Sequence, residues 1–165
     1  MENKRENNYA FIDSQNVHMG IRSLGWEMDW KKFRVHLKDT YNVSVAYMFL
    51  GFISDNQKLY EHLQRCGFVL IFKPLIYADG GAVKGNCDAD MVLHATTKID
   101  DYHRAVIITS DGDFYSLVRF LYEHKKLLVV LSPYIKTCSK LLKKEAKERI
   151  YYMDNLRQKI GRVQK

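Results

Sequence analysis

The chain has 165 residues, 47% of them hydrophobic and 27% charged, with a formal net charge of +7. That length suits one domain able to bury a real core, and the balance is that of a soluble globular protein, not a disordered or fibrous one. The longest apolar run, Val45 to Ile53, falls far short of the ~18 residues of a membrane span, and the polar start MENKRENN has no apolar targeting core.

In chain order, the first signal is YAFIDSQNVHMG, Tyr9 to Gly20. Tyr9 to Ile12 reads as a short buried strand that ends abruptly in Asp13, Ser14, Gln15 and Asn16. Such residues commonly make a turn, because their side chains bond to nearby backbone. They also stand where open α/β sheets bind ligands, at the carboxyl end of a strand. Asp29 caps a predicted helix carrying Trp30, Phe33 and Leu37 on one face. Val43 to Phe52 is a continuous apolar run, hence a buried strand. Asp55 opens a helix with Leu59, Leu63 and Cys66 inward, which Gly67 ends. Phe68 to Phe72 forms a third strand, stopped by Pro74. The segment YADGGAVKGNC, Tyr77 to Cys87, reads as a flexible loop between strand and helix. Ala105 to Thr109 and Leu127 to Leu131 are the last two clear strands, separated by a helix through Phe114, Leu117, Val118 and Leu121.

Solid apolar strands alternating with helices predict a parallel sheet covered on both faces. No linker or repeat divides the chain, so a single domain spans 1–165, with its core at about 8–156. Phosphate-cradling glycine motifs of the GxxxxGK[ST] and GxGxxG kinds are absent. The excess charge is concentrated at the end: 136–165 holds 10 Lys or Arg against 3 Asp or Glu, leaving the rest of the chain neutral. A basic segment on a neutral body points to an anionic partner such as nucleic acid, or else to a solvated helix face.

Acidic residues repeat at strand tips. VIITSDGDF places Asp111 and Asp113 after the fourth strand, and KGNCDADMVLHA places Asp88 and Asp90 at the start of a helix. Each alone is compatible with helix capping. In a parallel sheet, however, all three loops share one edge, which brings Asp13, Asp88, Asp111 and Asp113 into one crevice. Asp88 is in line with Met91, Val92 and Ala95 and so faces the sheet, while Asp90 lies about 200° away around the helix. Clustered carboxylates repel and call for a cation. An oxygen-preferring ion, Mg²⁺ or Mn²⁺, suits them better than zinc. Cys66, Cys87 and Cys138 are odd in number and lack ligand spacing, which fits inert thiols in a reducing cytoplasm. An acidic site holding such ions is suited to phosphodiester hydrolysis, because the ions acidify the attacking water and neutralise phosphate charge. Of the six histidines, His18 alone stands near one of these motifs. Trp26 and Tyr151-Tyr152 read as packing residues.

FIDSQN, KGNCDAD and ITSDGDF, in this order and spacing, resemble the NYN domain (LabA-like) family of the PIN-like nuclease superfamily, from Tyr9 to about Leu156. The resemblance implies a three-layer α/β/α sandwich on a mainly parallel five-stranded sheet, ordered 3-2-1-4-5. It implies a metal-dependent nuclease, foremost an endoribonuclease, with Asp13, Asp88, Asp111 and Asp113 as metal-binding acids. Asn16 matches a residue bracing the first loop or touching phosphate, Ser110 the small hydroxyl residue before the third acid, and Lys84 a phosphate contact. One departure stands out: KGNCDAD is a residue longer than the Lys-Gly-Val-Asp of many relatives, which leaves Asp88 and Asp90 competing for one role. The partner expected is nucleic acid, RNA before DNA, with no membrane, and a homodimer is allowed. The alternative is a non-catalytic RNA- or protein-binding regulatory module on the same fold. A phosphohydrolase acting on small substrates would carry Asp-x-Asp on the first strand, where this chain has Gln15.

Overall fold

Strands made only of apolar residues must lose water on both faces, and the central strands here do so. The computed structural model describes residues 6–74, 76–77, 83–84 and 87–164, with the backbone alone at 76–77 and 83–84. The elements are, in order, β1 (Asn8–Asp13), α1 (Ser14–Ser23), α2 (Trp30–Tyr41), β2 (Val43–Phe52), α3 (Gln57–Arg65), β3 (Phe68–Pro74), β4 (Ile76–Tyr77), β5 (Val83–Lys84), α4 (Asp88–Thr97), β6 (Ala105–Ile108), α5 (Tyr115–Glu123), β7 (Leu127–Ser132), α6 (Lys140–Ala146), β8 (Ile150–Tyr152) and α7 (Arg157–Ile160). The main sheet runs β3-β2-β1-β6-β7-β8, and every pairing in it is parallel.

Alternate residues of β1 serve opposite layers, as a period of two requires. Ala10 and Ile12 join Val17 and Ile21 of α1, Phe33 and Leu37 of α2, Leu63 of α3 and Ile160 of α7. Phe11 joins Met91 and Ala95 of α4, Leu117 and Leu121 of α5, and Leu142 of α6. The three layers and the strand order are therefore those expected, with one strand more. The sixth strand, β8, pairs Ile150 to Tyr152 with Val130 to Ser132. Three residues at a sheet edge, with Tyr151 left 55% exposed, give no apolar run to detect.

Other expectations need adjustment. The chain passes from β1 straight into α1, so Asp13 is a helix cap and not a turn residue. The loop Tyr77–Cys87 is entered through a short antiparallel pair, Ile76 with Lys84 and Tyr77 with Val83, while Gly80, Gly81 and Gly85 lie outside the described residues. In α3 the inward residues are Tyr60 and Leu63, whereas Leu59 is 43% exposed. Tyr60 takes the inner place because its hydroxyl accepts from the Ile53 amide at 2.9 Å and donates to the Gly51 carbonyl at 3.3 Å. The basic segment from Lys136 onward is woven into the domain through buried Leu142, Met153, Leu156 and Ile160. Its charges sit on an integral part of the fold, not on a tail. Asp29 does cap α2, accepting from the Lys32 amide at 3.0 Å, and Gly67 ends α3 with φ +98°.

α1 is seated against the end of β7 at Gly20, where an added Cβ would stand 2.6 Å from Cβ of Pro133. Alanine in an open helix position is better than glycine by up to about 1 kcal/mol. Here the rigid proline ring cannot yield, and overpacking of this kind costs about 1–3 kcal/mol. Gly20→Ala is therefore expected to be less stable than wild type in urea unfolding. A gain in stability would show that α1 can slide away from Pro133.

Candidate metal centre

β1 and β6 are paired with Ile12 opposite Ile108. The next residues, Asp13 and Thr109, therefore leave the sheet side by side, and Asp111 follows two positions on. α4 enters the same edge from the other layer with Asp88 as its first residue. Asp13, Asp88 and Asp111 each bring a carboxylate oxygen to within 4.8 Å of the others. Thus the acids of the first and fourth sheet strands meet as the strand order requires, and Asp88, not Asp90, completes the group.

Each strand-tip acid is held by the backbone geometry of its loop. Asp13 Oδ1 accepts from the Asn16 amide at 3.4 Å, and its Oδ2 accepts from the Thr109 hydroxyl at 3.1 Å. The same hydroxyl accepts from the Asp111 amide at 3.1 Å. Asp111 Oδ1 in turn accepts from the Asp113 amide at 2.9 Å, capping a 3-10 turn at Gly112–Phe114. Capping and clustering are therefore compatible: one oxygen can cap while another faces the crevice. Thr109 is fully buried and ties two of the acids together. Sequence reasoning does not single it out, although it stands in the ITSDGDF motif. A hydroxyl between two strand-tip acids is the signal that could have found it.

Asn16 braces the site. Its Oδ1 accepts from the Ser110 amide at 2.7 Å, locking the start of α1 to the loop after β6. The Ser110 hydroxyl is turned inward, 2.9 Å from that of buried Ser132. Behind this loop, Gly112 lies so close to Ser139 that an added Cβ would meet Ser139 Oγ at 2.4 Å. Asp113 is exposed and, among the described residues, lies outside the carboxylate group, as does Asp90. In a 3-10 turn each residue advances about 120°, so a side chain two positions beyond Asp111 points well away from it. The side chain of Lys84 lies outside the described residues.

The three carboxylates open into a cavity of about 330 Å³, walled also by Asn16, Met19 and Phe49. Burial pushes the Asp13 carboxyl up to about 6; the bonds from Thr109 and Asn16 pull it down, while Asp88 and Asp111 push it further up. Burial, and after it the charge of Asp90, also raises the Cys87 thiol. The thiol thus stays protonated, and the donors on offer are oxygens. Three partly buried carboxylates of like charge, converging on one cavity, form a set that fits a hard divalent ion.

The family model of the NYN domain matches residues 9–154. A crystal structure of a protein of unknown function from Vibrio parahaemolyticus is similar in fold, with a TM-score of 0.81 and 24% identity over 98% of this chain and 99% of that one. No curated protein matches the sequence.

Proposed function

The chain belongs to the NYN domain family of the PIN-like nuclease superfamily, and from that premise we propose that it is a divalent-metal-dependent endoribonuclease. The observation that carries the reading is the meeting of Asp13, Asp88 and Asp111 within 4.8 Å at one sheet edge. A protein that only bound RNA would gain nothing from three negative charges facing phosphate. These three residues would hold Mg²⁺ or Mn²⁺, which would acidify water and neutralise charge on the phosphate and the leaving oxygen.

The protein's own groups have separate tasks. Thr109 and Asn16 fix the acids and the two loops in one geometry, so that little reorganisation is needed when substrate arrives. Ser110 supports the loop from behind through Ser132. For Lys84 the family resemblance alone supports a phosphate contact. Lys136, Lys140 and Lys144 are exposed on the segment whose Ser139 packs behind Gly112, and we assign them to the phosphates of the bound strand.

A labelled single-stranded RNA incubated with the protein in Mn²⁺ should be cut to fragments bearing 5′-phosphates, and EDTA should stop the reaction. Metal titration by calorimetry should show binding. If neither cleavage nor metal binding is found, the fold serves as a binding module in this protein. The lysine contribution is separable. Changing Lys136, Lys140 and Lys144 together to Gln should flatten the slope of log K against log salt by roughly 0.7–0.9 per lost phosphate contact. It should leave any sequence preference unchanged. An unaltered slope returns these lysines to the role of a solvated face.

A further inference from the structure

Beside the carboxylates lies a second and larger hollow of about 1000 Å³ between α1, α3 and the end of β2, reaching to Arg162. The two hollows share Gln15, Leu50 and Gly51 as lining residues, so they adjoin. A volume at the upper end of the ~300–1000 Å³ range of ligand clefts leaves ample room for a base and its ribose. We infer that this groove receives an unpaired base of a single-stranded nucleic acid whose backbone phosphate lies at Asp13, Asp88 and Asp111. The identity of the ligand rests on the nuclease reading; the groove itself does not.

Three features select this occupant. The walls are apolar where a protein would ordinarily be polar: Ile53 and Leu59, which are 45% and 43% exposed, share the lining with buried Trp26 and Tyr60. Isolated exposed apolar residues are ordinary, but two lining one concavity suit the flat face of a base. Charge is the second feature. Among the described residues the lining carries Arg22 and Arg162 against one acid, Glu27. That acid is already held by Arg162 at 3.2 Å. The surplus charge at Arg22 suits the phosphate groups that flank the base, while the adjoining cavity, once its carboxylates are neutralised, takes the phosphate at the metal centre. The third is pairing state. A base within a duplex has its faces covered by its neighbours, whereas a base in a loop or single strand can turn its face to a protein wall. This also explains Leu59, which sequence periodicity places in the core and which the fold turns into the groove.

The test uses the full chain in Ca²⁺, an oxygen-seeking ion, with a fluorescein-labelled octaribonucleotide, single-stranded or annealed to its complement, and fluorescence anisotropy as readout. Leu59→Glu and Arg22→Glu alter exposed positions, so the fold should persist, which thermal melting checks. Each should weaken single-strand binding roughly tenfold, the scale of one lost base contact, with little change for the duplex. Leu59→Lys removes the same apolar surface with the opposite charge and should weaken binding less than Leu59→Glu, which separates a groove effect from general damage. Wild-type affinity in both glutamate variants, equal losses on single strand and duplex, or no single-strand binding by the wild-type protein would each overturn the inference. Cleavage in Mn²⁺ is scored separately. Groove-dependent binding without cleavage retains the groove and rejects the nuclease, and cleavage with groove variants of unchanged affinity does the reverse.

Discussion

Asp13→Asn protein is expected to lose RNA cleavage by about 10²–10³-fold or more, as when one preorganised group at a site of developing charge is removed, yet to melt at a higher temperature than wild type in metal-free buffer. Both effects have one origin. Asparagine preserves size and its one carbonyl oxygen can still accept either from the Thr109 hydroxyl or from the Asn16 amide, though not from both, but it removes the charge that a cation needs. Without a cation that charge is a burden. Burial and the neighbouring carboxylates raise the Asp13 carboxyl from 3.8 to about 6. Between these values the folded protein holds a proton that the unfolded chain has released, so stability falls as pH rises through the window and levels off above it. The loss at neutral pH is on the order of 1–3 kcal/mol. In the variant this slope is absent. Added Mn²⁺ should reverse the ranking: wild type gains about 2.7 kcal/mol at a hundredfold excess over Kd, and the variant gains little. Denaturant unfolding from pH 4 to 8, with and without Mn²⁺, reads all of this. An Asp13→Asn protein that cleaves at the wild-type rate would falsify the metal-nuclease reading.

Thr109→Val should produce the second largest loss. Valine fills the same space, so the buried packing is retained. What disappears is a hydroxyl that donates to Asp13 Oδ2 and accepts from the Asp111 amide, each at 3.1 Å. A buried amide left without a partner costs about 1–3 kcal/mol, and the partly buried Asp111 amide falls at the low end of that range. Residues that orient ligating groups typically change metal affinity or activity by about 10–100-fold, and a similar fall in Mn²⁺ affinity and cleavage is expected. Because the Thr109 bond pulls the Asp13 carboxyl down, its removal should move that carboxyl further up, which carbon-detected NMR titration can follow. Thr109→Ser restores the hydroxyl while losing one methyl group. It should recover most of the metal affinity despite some loss of stability. A valine variant with normal affinity would reduce Thr109 to a packing residue.

The part of the site that is legible in the sequence follows from periodicity and polarity. Asp88 is preferred to Asp90 because a helix that buries Met91 and Ala95 must turn position 88 towards the sheet. Asp13 and Asp111 come together because parallel strands end on one side. Asp113 is misplaced by the same reasoning. Its strand-tip position matches that of Asp111, but the 3-10 turn that separates the two side chains has no periodic signature over three residues. Leu59 is misplaced likewise: the 3-10 turn at Ser54–Asn56 precedes α3, and Tyr60 finds hydrogen-bond partners at the end of β2 that no helical count could foresee.

Composition, apolar runs and strand-tip acids by themselves determined that this chain folds as a three-layer α/β domain with a carboxylate group at the sheet's carboxyl edge. They could do so because burial on two faces and a common strand direction are properties of each segment. The tertiary structure alone decided that the group has three members among the described residues, that Thr109 and Asn16 hold it, that the basic segment supplies β8, and that a groove opens beside it. These features depend on contacts such as Asn16 with Ser110, 94 positions apart. Such contacts are set by strand register and layer packing, and no local pattern encodes them.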